Sequence, residues 1–264
     1  MAANETASEH LSAARVLAGE LLRHGVERIA CVPGESYLSL LDALVDVPEI
    51  SVVTCRHEGG AAMMAEAWGK LTGRPGIVFA TRGPGATNAS SGIHVARQDS
   101  TPVILFVGQI ERSSRGREAF QEIDLRAVFG TLAKWVTEID DPGRLTEIVG
   151  RAFHVATSGR PGPVVVGLPE DMLDGPAPQL HARAYTPATA AMTPEDAEDI
   201  AGAMEKCQRP FVIVGGGGWS RDASCALQNF AERWELPVAA TFRCQDYLDN
   251  RSPSYAGNLG LGAN

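Results

Sequence analysis

The sequence lacks several features that would place it in well-known classes of protein. It contains no apolar run near the roughly 20 residues that span a membrane. Its N-terminus has neither the basic start nor the apolar core of an export signal. With a formal net charge of −9 and scattered acidic residues, it offers no basic surface for nucleic acid or anionic lipid. We therefore expect a cytoplasmic protein that binds neither nucleic acid nor membrane.

The cysteines and histidines lack the spacings of metal sites and catalytic triads. The five cysteines are an odd number, and no two of them have the close spacing of a metal-binding pair. Cys31 and Cys55 fall in apolar strand-like runs, where a reduced cysteine acts as a small core residue. His57, His94 and His154 are isolated from one another and from suitable partners. The sequence therefore predicts neither a zinc site nor a Ser-His-Asp triad.

A run of four glycines, Gly215–Gly218, lies between a predicted strand and a predicted helix. The run lacks the spaced G-x-G-x-x-G pattern, so it is a weak signal for a dinucleotide site. A plain strand-to-helix connection would explain the glycines equally well.

Helical and strand-like segments alternate through the first two thirds of the chain. The strands are near-continuous apolar runs rich in β-branched residues, which is typical of a parallel sheet buried on both faces. The predicted helices are Ser8–Gly25, Leu38–Val45, Glu58–Leu71, a segment after Asn88 ending at Arg97, Ile123–Phe129 and Gly143–Ala156. The predicted strands are Arg28–Val32, Ile50–Cys55, Gly76–Ala80, Pro102–Val107, Trp135–Ile139 and Pro163–Leu168. This order predicts an α/β fold with a doubly wound parallel sheet.

A stretch rich in proline, alanine and threonine interrupts this alternation. We expect a first domain at 1–174, a linker at 175–193 and an incomplete second α/β domain at 194–264. The second domain has four predicted elements, the helices Pro194–Lys206 and Ser220–Trp234 and the strands Pro210–Val214 and Pro237–Ala240. No further strand or helix is predicted after them. Two strands bury too little apolar surface for stability, so we expect the chain to be a fragment of a longer gene or the product of a broken reading frame.

Two turns are notable because each follows a predicted strand and opens a predicted helix. The first, Arg56–Ala62, carries Glu58, and the second, Thr81–Asn88, carries Gly83-Pro84-Gly85. In a parallel sheet both turns lie at the carboxyl edge, where ligands bind. The glycines leave bare backbone that can lie against a planar ligand, although a tight turn alone would also explain them.

Two roles are open to Glu58. The helix macrodipole stabilises a carboxylate at a helix N-terminus, which would make the residue purely structural. However, the neighbours Gly59–Ala62 are small and apolar, and no cationic residue follows until Lys70. A buried carboxyl in such surroundings can stay protonated or share a proton near neutral pH. That property suits a hydrogen bond to a ring nitrogen.

Several short motifs occur together in one order. They are Arg56-His57-Glu58, Met64-Ala65-Glu66, Gly83-Pro84-Gly85-Ala86-Thr87-Asn88, Gly108-Gln109, Ala119-Phe120-Gln121-Glu122 and Ser158-Gly159-Arg160-Pro161-Gly162-Pro163-Val164. Together they closely resemble the N-terminal pyrimidine-binding domain of thiamine-diphosphate enzymes, in the acetolactate synthase-like branch. The resemblance extends from residue 8 to the end of the chain. No single motif is decisive, but the set in register is specific.

The resemblance implies that Glu58 hydrogen-bonds the pyrimidine ring nitrogen of thiamine diphosphate. By stabilising the imino tautomer, this contact makes the exocyclic nitrogen a base placed against the thiazolium carbon. That carbon then attacks a 2-keto acid and takes up the electrons released with carbon dioxide. The resemblance implies further cofactor contacts at Gly34, Pro84, Gly85 and Asn88, with Phe120 and Gln121 bordering the substrate side of the thiazolium ring. We therefore expect a 2-keto acid carboligase or decarboxylase.

Two departures limit what the resemblance implies. The family marks its Mg2+ and diphosphate site with Gly-Asp-Gly, which occurs nowhere in this sequence. We therefore expect Mg2+ to be held outside this chain, and the chain alone to bind the cofactor weakly and to be inactive. Acetolactate synthases also carry FAD, and Arg160 matches part of that site. The segment Gly257–Gly262 has leucine and glycine where a His-Gly pair is typical, so FAD binding stays open.

The resemblance also bears on partners and on alternative functions. In this family the glutamate and the diphosphate site come from neighbouring subunits, which implies a homodimer or homotetramer. Decarboxylases of oxalyl, benzoylformate or sulfoacetaldehyde type share the first domain, although Ala119–Glu122 favours the synthase side. A non-catalytic subunit that pairs with a separate diphosphate-binding chain is a further alternative. A chain that stops inside a domain argues against it.

Overall fold

The protein is represented by a computed structural model, which describes residues 11–180, 183–188, 190–260 and 262. The chain divides into two compact units, the first unit at residues 1–188 and the second unit at residues 189–264. The predicted linker contains this division, and its bounds stay a prediction. Among the described residues, no helix combines the length and the apolar character that crossing a membrane requires.

The first unit alternates helices and strands. In chain order its elements are β1 (Leu11–Ser12), α1 (Ala13–Arg23), β2 (Arg28–Cys31), α2 (Leu38–Val45), β3 (Ser51–Thr54), α3 (Glu58–Thr72), β4 (Gly76–Ala80), α4 (Gly83–Asp99), β5 (Val103–Gln109), α5 (Leu125–Phe129), β6 (Trp135–Glu138), α6 (Leu145–Thr157), β7 (Pro163–Pro169), α7 (Glu170–Asp174) and β8 (Pro176–Ala177).

Six of the described strands form one parallel sheet, the main sheet, in the order β3-β2-β4-β5-β7-β6. Every residue of β4, β5 and β7 is buried, as the continuous apolar runs indicated. Alternate residues of β4 enter two different cores. Ile77 and Phe79 face α1, α2 and α6, whereas Val78 and Ala80 face α3, α4 and α5. Helices thus cover both faces, and the predicted doubly wound parallel sheet is confirmed.

Small residues allow α3 and α4 to pack closely on one face. A Cβ atom added to Gly92 of α4 would lie 2.4 Å from the Cβ atom of Ala62 of α3. A Cβ atom on Gly69 would lie 2.4 Å from the carbonyl oxygen of Pro102. Any larger side chain at either glycine would therefore separate the elements. This close packing brings the N-termini of the two helices together at the carboxyl edge of the main sheet.

Helix α4 begins earlier than the sequence indicated. We predicted a helix only after Asn88, but α4 starts at Gly83 and includes Pro84 in its first turn. Proline is tolerated there because its missing N–H has no helical partner and its fixed φ suits a helix. Gly83-Pro84-Gly85 is therefore the first helical turn rather than a separate bend.

The first predicted helix also differs at its start. Residues 8–10 lie outside the described residues, and Leu11–Ser12 pairs antiparallel with Pro176–Ala177. Helix α1 then begins at Ala13, because the Ser12 hydroxyl caps it by accepting the N–H of Arg15 at 3.3 Å. Part of the segment that we predicted as a linker is thus a strand of the first unit.

The second unit is also α/β. Its elements are α8 (Pro194–Glu205), β9 (Val212–Val214), α9 (Arg221–Arg233), β10 (Val238–Thr241) and β11 (Tyr255–Leu259). The three strands form a parallel sheet in the order β11-β10-β9 within the described residues. The prediction that no strand follows Ala240 was wrong. Strand β11 contains Gly257 at φ 107° followed by Asn258, which interrupt its apolar residues, so its pattern does not stand out in the sequence.

Candidate active site

The strand order of the main sheet reverses beside β2. Strand β3 follows β2 in the chain and lies on one side of it, whereas β4 lies on the other side. Such a reversal opens a crevice at the carboxyl ends of the strands, and ligands of open α/β sheets bind there. Gly34, Glu58 and Thr81 come directly after or close to the ends of β2, β3 and β4. The predicted site residues of these turns therefore border one crevice.

The carboxyl group of Glu58 is held in place at this crevice. Glu58 is the first residue of α3, and His57 caps the helix by accepting the N–H of Gly59 on Nδ1 at 3.0 Å. Glu58 is only 7% exposed. Its Oε2 accepts a hydrogen bond from Asn88 Nδ2 at 3.0 Å, and no donor among the described residues reaches Oε1. One oxygen of a buried carboxyl group is thus available to a ligand.

Two glycines keep the space beside this oxygen clear. A Cβ atom on Gly85 would lie 3.0 Å from Glu58 Oε1 and 2.9 Å from Thr81 Cγ2. A Cβ atom on Gly34 would lie 2.6 Å from Thr81 Cβ. The Thr81 side chain thus packs against both glycines, and the bare backbone of Gly85 lies next to the carboxyl group. A planar ring can approach Glu58 there, whereas a side chain at either glycine would have to displace its neighbours.

The predicted residues of α4 lie on its first two turns. Gly85 and Asn88 both contact Glu58, and Pro84, which is exposed, precedes Gly85 in the first turn. The structure therefore joins Asn88 to Glu58 by a hydrogen bond and places Gly85 next to the other oxygen of Glu58, whereas Gly34 packs against Thr81.

The loop between β5 and α5 touches the start of α4. The carbonyl oxygen of Gln121 accepts the N–H of Gly83 at 3.0 Å. Gln121 has φ 63°, an unusual value for a residue with a side chain. The carboxylate of Glu122 holds the loop by accepting the N–H groups of Gly116 and Ala119, and these bonds lower the pKa of Glu122. The Phe120 side chain is 72% exposed, so it borders solvent rather than the Glu58 carboxyl group.

Comparison with known protein families shows which family has this sequence around the crevice. The family model described as "Thiamine pyrophosphate enzyme, N-terminal TPP binding domain" matches residues 11–128, which include Glu58, Gly85 and Asn88. The model described as "Thiamine pyrophosphate enzyme, central domain" matches residues 197–264, and the two together cover more than two thirds of the chain. The chain belongs to the thiamine pyrophosphate enzyme family. Thiamine pyrophosphate is the same compound as thiamine diphosphate.

Curated relatives of this thiamine pyrophosphate enzyme chain are acetolactate synthases. The acetolactate synthase large subunit of Parasynechococcus marenigrum (strain WH8102) is 35% identical over 267 residues, covering 97% of this chain and 43% of the relative. The acetolactate synthase of Arthrospira platensis is 33% identical over 265 residues, covering 97% and 46%. The probable acetolactate synthase large subunit of Methanocaldococcus jannaschii is 34% identical over 259 residues, covering 95% and 44%. The predicted resemblance is confirmed, and the chain spans less than half the length of these relatives.

A cavity of about 460 Å³ lies elsewhere at the same edge of the thiamine pyrophosphate enzyme fold, between the β5–α5 loop and β6. Gln109, Arg115, Val136 and Glu138 are among the residues that line it. Burial raises the pKa of the Glu138 carboxyl group, while Arg115 opposes this shift. None of the described lining residues is a predicted site residue. A neighbouring cavity of about 420 Å³ has Gln121 in its lining. The open crevice beside the Glu58 carboxyl group is lined by neither set of residues.

Arg160, which the resemblance linked to FAD, lies at the far end of α4. Its Nε donates to Ser100 Oγ at 2.7 Å, and Nη2 donates to the carbonyl oxygens of Arg97 and Gln98, both at 3.3 Å. Helix α4 has 17 residues, so this end is about 25 Å from Gly83 at 1.5 Å per residue. Arg160 therefore caps the C-terminus of α4 and does not reach the Glu58 crevice.

Two buried groups beneath the crevice were not predicted. Tyr37 is 1% exposed and donates its hydroxyl hydrogen to the carbonyl oxygen of Val32. Burial raises the pKa of Tyr37, and the nearby Cys31 and Glu58 raise it further. Burial likewise raises the pKa of the Cys31 thiol to about 11. Both groups stay neutral, so Glu58 has no charged neighbour on this side. The only sequence signal for Tyr37 is its position three residues after Gly34.

A polar bridge across the crevice was also missed. The hydroxyl groups of Ser36 and Thr81 are 2.8 Å apart, which links the turn after β2 to the turn after β4. The guanidinium group of Arg82, which is 8% exposed, binds Glu35 Oε1 at 3.0 Å and Glu170 Oε2 at 2.5 Å. These residues are ordinary turn residues in the sequence, and nothing in their spacing indicates that they pair.

Proposed function

We propose that this chain provides the aminopyrimidine-binding part of a thiamine-diphosphate-dependent enzyme that acts on a 2-keto acid, as an acetolactate synthase-like carboligase or decarboxylase. The observation that supports this most directly is the buried Glu58 carboxyl group with one uncommitted oxygen beside Gly85. The family models and the acetolactate synthase relatives support it independently.

The residues of the crevice fit the aminopyrimidine ring. A Cβ atom on Gly85 would intrude on the space beside Glu58 Oε1 that a flat ring requires, and this oxygen is free to share a proton with a ring nitrogen. Asn88 holds Oε2 and so fixes the direction of the carboxyl group. When bound, thiamine diphosphate supplies a thiazolium carbon that attacks the keto group and accepts the electrons released with carbon dioxide. Glu58 thus acts as a positioned proton partner.

The Mg2+ and diphosphate contacts belong to other residues in this proposal. Among the described residues, no group of three His, Cys, Asp or Glu side chains could hold a metal ion. The sequence also lacks Gly-Asp-Gly. We propose that a second subunit supplies these contacts, as the family resemblance implies, in a homodimer or homotetramer. Light scattering of the purified protein at several concentrations measures this oligomeric state.

FAD binding is a separate proposal with less support. The carbonyl oxygens of Gly215 and Gly216 accept hydrogen bonds from Trp219 Nε1 at 3.2 Å and Tyr247 Oη at 2.7 Å. Gly216 and Gly218 have φ values of 78° and 84°, which favour glycine without any ligand. Backbone conformation therefore accounts for these glycines without a flavin. Flavin absorbance of the purified protein tests this point.

Titration with thiamine tests the proposed function. Thiamine carries the aminopyrimidine ring without the diphosphate, so it isolates the contacts of this chain. In 1H–15N NMR spectra of the 264-residue chain, we expect shifts of the Gly34 and Gly85 amide signals and of the Asn88 side-chain amide. A single weak contact of this kind predicts a Kd in the roughly millimolar range.

A matched pair of variants makes this test specific. Glu58→Gln should weaken thiamine binding by roughly tenfold or more, because a hydrogen bond to a charged group contributes about 1.5–3 kcal/mol. Glu66→Gln is the control, since Glu66 is on the same helix and is 8% exposed. It accepts a hydrogen bond from Thr101 Oγ1 at 3.0 Å, at the opposite end of the sheet from the crevice. Equal thiamine affinity of the wild type and Glu58→Gln would refute the proposed function.

A further inference from the structure

Arg82 lies where three turns of the carboxyl edge meet. It occupies the N-cap position of α4, directly before Gly83, and its side chain makes no capping hydrogen bond to the helix. Its Nη1 donates to Glu35 in the turn after β2, and its Nη2 donates to Glu170, the first residue of α7 after β7. A single side chain therefore connects the turns that follow β2, β4 and β7.

The surroundings of Arg82 favour a geometric role over a stabilising one. The residue is 8% exposed, and its buried Nε has no hydrogen-bond partner among the described residues. Removing a guanidinium group from water is costly, and an unpaired buried N–H adds to that cost. Apolar residues at such a position are often as stable as a buried ion pair. The arrangement is better explained by the position that it imposes on the three turns.

Two adjacent pairs span the crevice between β2 and β4. Glu35 pairs with Arg82 at 3.0 Å, and Ser36 pairs with Thr81 at 2.8 Å. Gly34, which precedes Glu35, and Gly85 both pack against the Thr81 side chain. The distance between Gly34 and Gly85 therefore depends on these two pairs.

We propose that Arg82 is a positioning residue for the aminopyrimidine crevice, an inference that rests on the proposed function. By holding Glu35 and Glu170, Arg82 fixes the start of α4 against the turn that carries Gly34. Gly85 and Asn88 are then placed at the Glu58 carboxyl group. Arg82 makes no contact with Glu58 among the described residues and takes no part in proton transfer.

Thiamine affinity of three variants tests this role. Arg82→Gln removes the charge and both ion pairs, and we expect thiamine binding to weaken at least fivefold. Arg82→Lys keeps the charge but cannot reach both carboxylates, so its affinity should be intermediate. Arg112→Gln is the matched control. Arg112 Nε donates to Asp171, the neighbour of Glu170 in α7, at 2.7 Å. No Arg112 atom is among the nearest neighbours of a Cβ added to Gly34 or Gly85.

The readouts separate positioning from general stability. The urea midpoint of each variant measures stability, and the Gly34 and Gly85 amide signals measure the geometry of the crevice without ligand. We expect the amide signals to move in Arg82→Gln and to stay unchanged in Arg112→Gln at a comparable loss of stability. Unchanged thiamine affinity in Arg82→Gln, or an equal loss in Arg112→Gln, overturns the inference.

Two further outcomes keep the test decisive. If Arg82→Gln does not fold, Glu35→Gln replaces it, because the Glu35 side chain is 66% exposed and its substitution leaves Arg82 in place. We expect this variant to weaken thiamine binding about twofold to threefold, and no weakening would overturn the inference. If the wild type itself does not bind thiamine, the proposed function fails first. A wild type that binds normally while the Arg82 variants also bind normally contradicts only the positioning role.

Discussion

Helix α3 carries two buried glutamates at opposite ends of the main sheet. Glu58 lies at the carboxyl edge and Glu66 lies beside Thr101, just before β5, at the amino edge. Their exposed fractions are almost equal, at 7% and 8%. Thr101 Oγ1 donates to Glu66 Oε1 at 3.0 Å, whereas Glu58 Oε1 faces the bare backbone of Gly85. The two residues thus differ in what surrounds them and hardly at all in burial.

This difference shows which feature distinguishes a ligand site from a structural contact. At the amino edge, glycines are needed because other parts of the chain fill the space, as Pro102 does next to Gly69. At the carboxyl edge, Gly85 borders an oxygen that no part of the described chain binds. A buried carboxyl group is therefore a poor indicator by itself. An uncommitted oxygen next to a glycine is a better one.

The largest expected effect comes from adding a methyl group at each edge. In Gly76→Ala, at the amino end of β4, the new Cβ atom would lie 1.8 Å from the carbonyl oxygen of Ala65. We expect the free energy of unfolding to fall by about 3 kcal/mol or more. In Gly85→Ala, we expect a folded protein that has lost thiamine binding. Urea unfolding and thiamine titration measure both, and normal thiamine affinity in Gly85→Ala would remove the distinction between the two edges.

A third buried glutamate, Glu20 on α1, extends the comparison to pH. His24 lies beside it, stacked on Phe153 with ring centroids 4.3 Å apart. Burial, assisted by the charge of Arg23, lowers the pKa of His24 from 6.5 to about 4. Above pH 6.5 both folded and unfolded chains hold a neutral imidazole. As the pH falls from 6.5 to about 4, only the unfolded chain takes up the proton, so stability decreases by up to about 3 kcal/mol.

The variant His24→Asn tests this pH dependence. Its amide oxygen can still accept the N–H of Tyr185, which His24 Nδ1 accepts at 3.3 Å, but the group does not titrate. Glu20 is unchanged, so its own raised pKa affects both proteins alike. We expect a flatter dependence of the urea midpoint on pH for His24→Asn. Parallel curves for the two proteins between pH 6.5 and 4 would contradict the prediction.

A smaller effect should follow from removing the partner of each glutamate on α3. Thr101→Val leaves Glu66 buried without its hydroxyl donor, and we expect a loss of about 2 kcal/mol in unfolding free energy. Thiamine affinity should not change. Asn88→Ala removes an exposed residue, so stability should change less while thiamine binding weakens. The reverse pattern, with thiamine binding sensitive to Thr101, would show that the two edges are coupled.

The smallest effect is expected at a helix end on the amino edge. Lys134 Nζ donates to the carbonyl oxygens of Val155 and Ser158 at the C-terminus of α6. Lys134→Met keeps much of the side-chain volume and should cost about 1 kcal/mol, the net value of such hydrogen bonds. Thiamine affinity should equal that of the wild type. Calorimetric unfolding measures the first quantity, and a change in affinity would contradict the structural role of this edge.

The sequence was sufficient for the six strands of the main sheet and for the central contact of the site. A continuous apolar run predicted the bounds of β4 at Gly76–Ala80, because every residue of a fully buried strand is apolar or small. The position of two motifs after consecutive strands predicted that Glu58 and Gly85 meet at one edge. The geometry bears this out, although the cofactor roles of these residues stay predictions.

The sequence was insufficient wherever partners are distant or a pattern is ambiguous. Arg82 pairs with residues 47 and 88 positions away, and no local periodicity reports such pairs. Gly83-Pro84-Gly85 has the composition of a turn, yet packing against α3 makes it the start of α4. Strand β11 was missed because Gly257 and Asn258 interrupt its apolar residues, while the neighbouring strand β10 supplies its hydrogen bonds.

The Thr81 side chain limits how far the turn that carries Gly34 and the start of α4 can move relative to each other. Because Thr81 touches the backbone positions of both Gly34 and Gly85, the two turns cannot be respaced one at a time. Serine at this position would leave a gap of one methyl group, and valine would keep the shape but lose the bond to Ser36. One small side chain thus acts as a spacer between two turns that the Glu35–Arg82 pair also joins, and a designer who wished to widen the opening would have to change both.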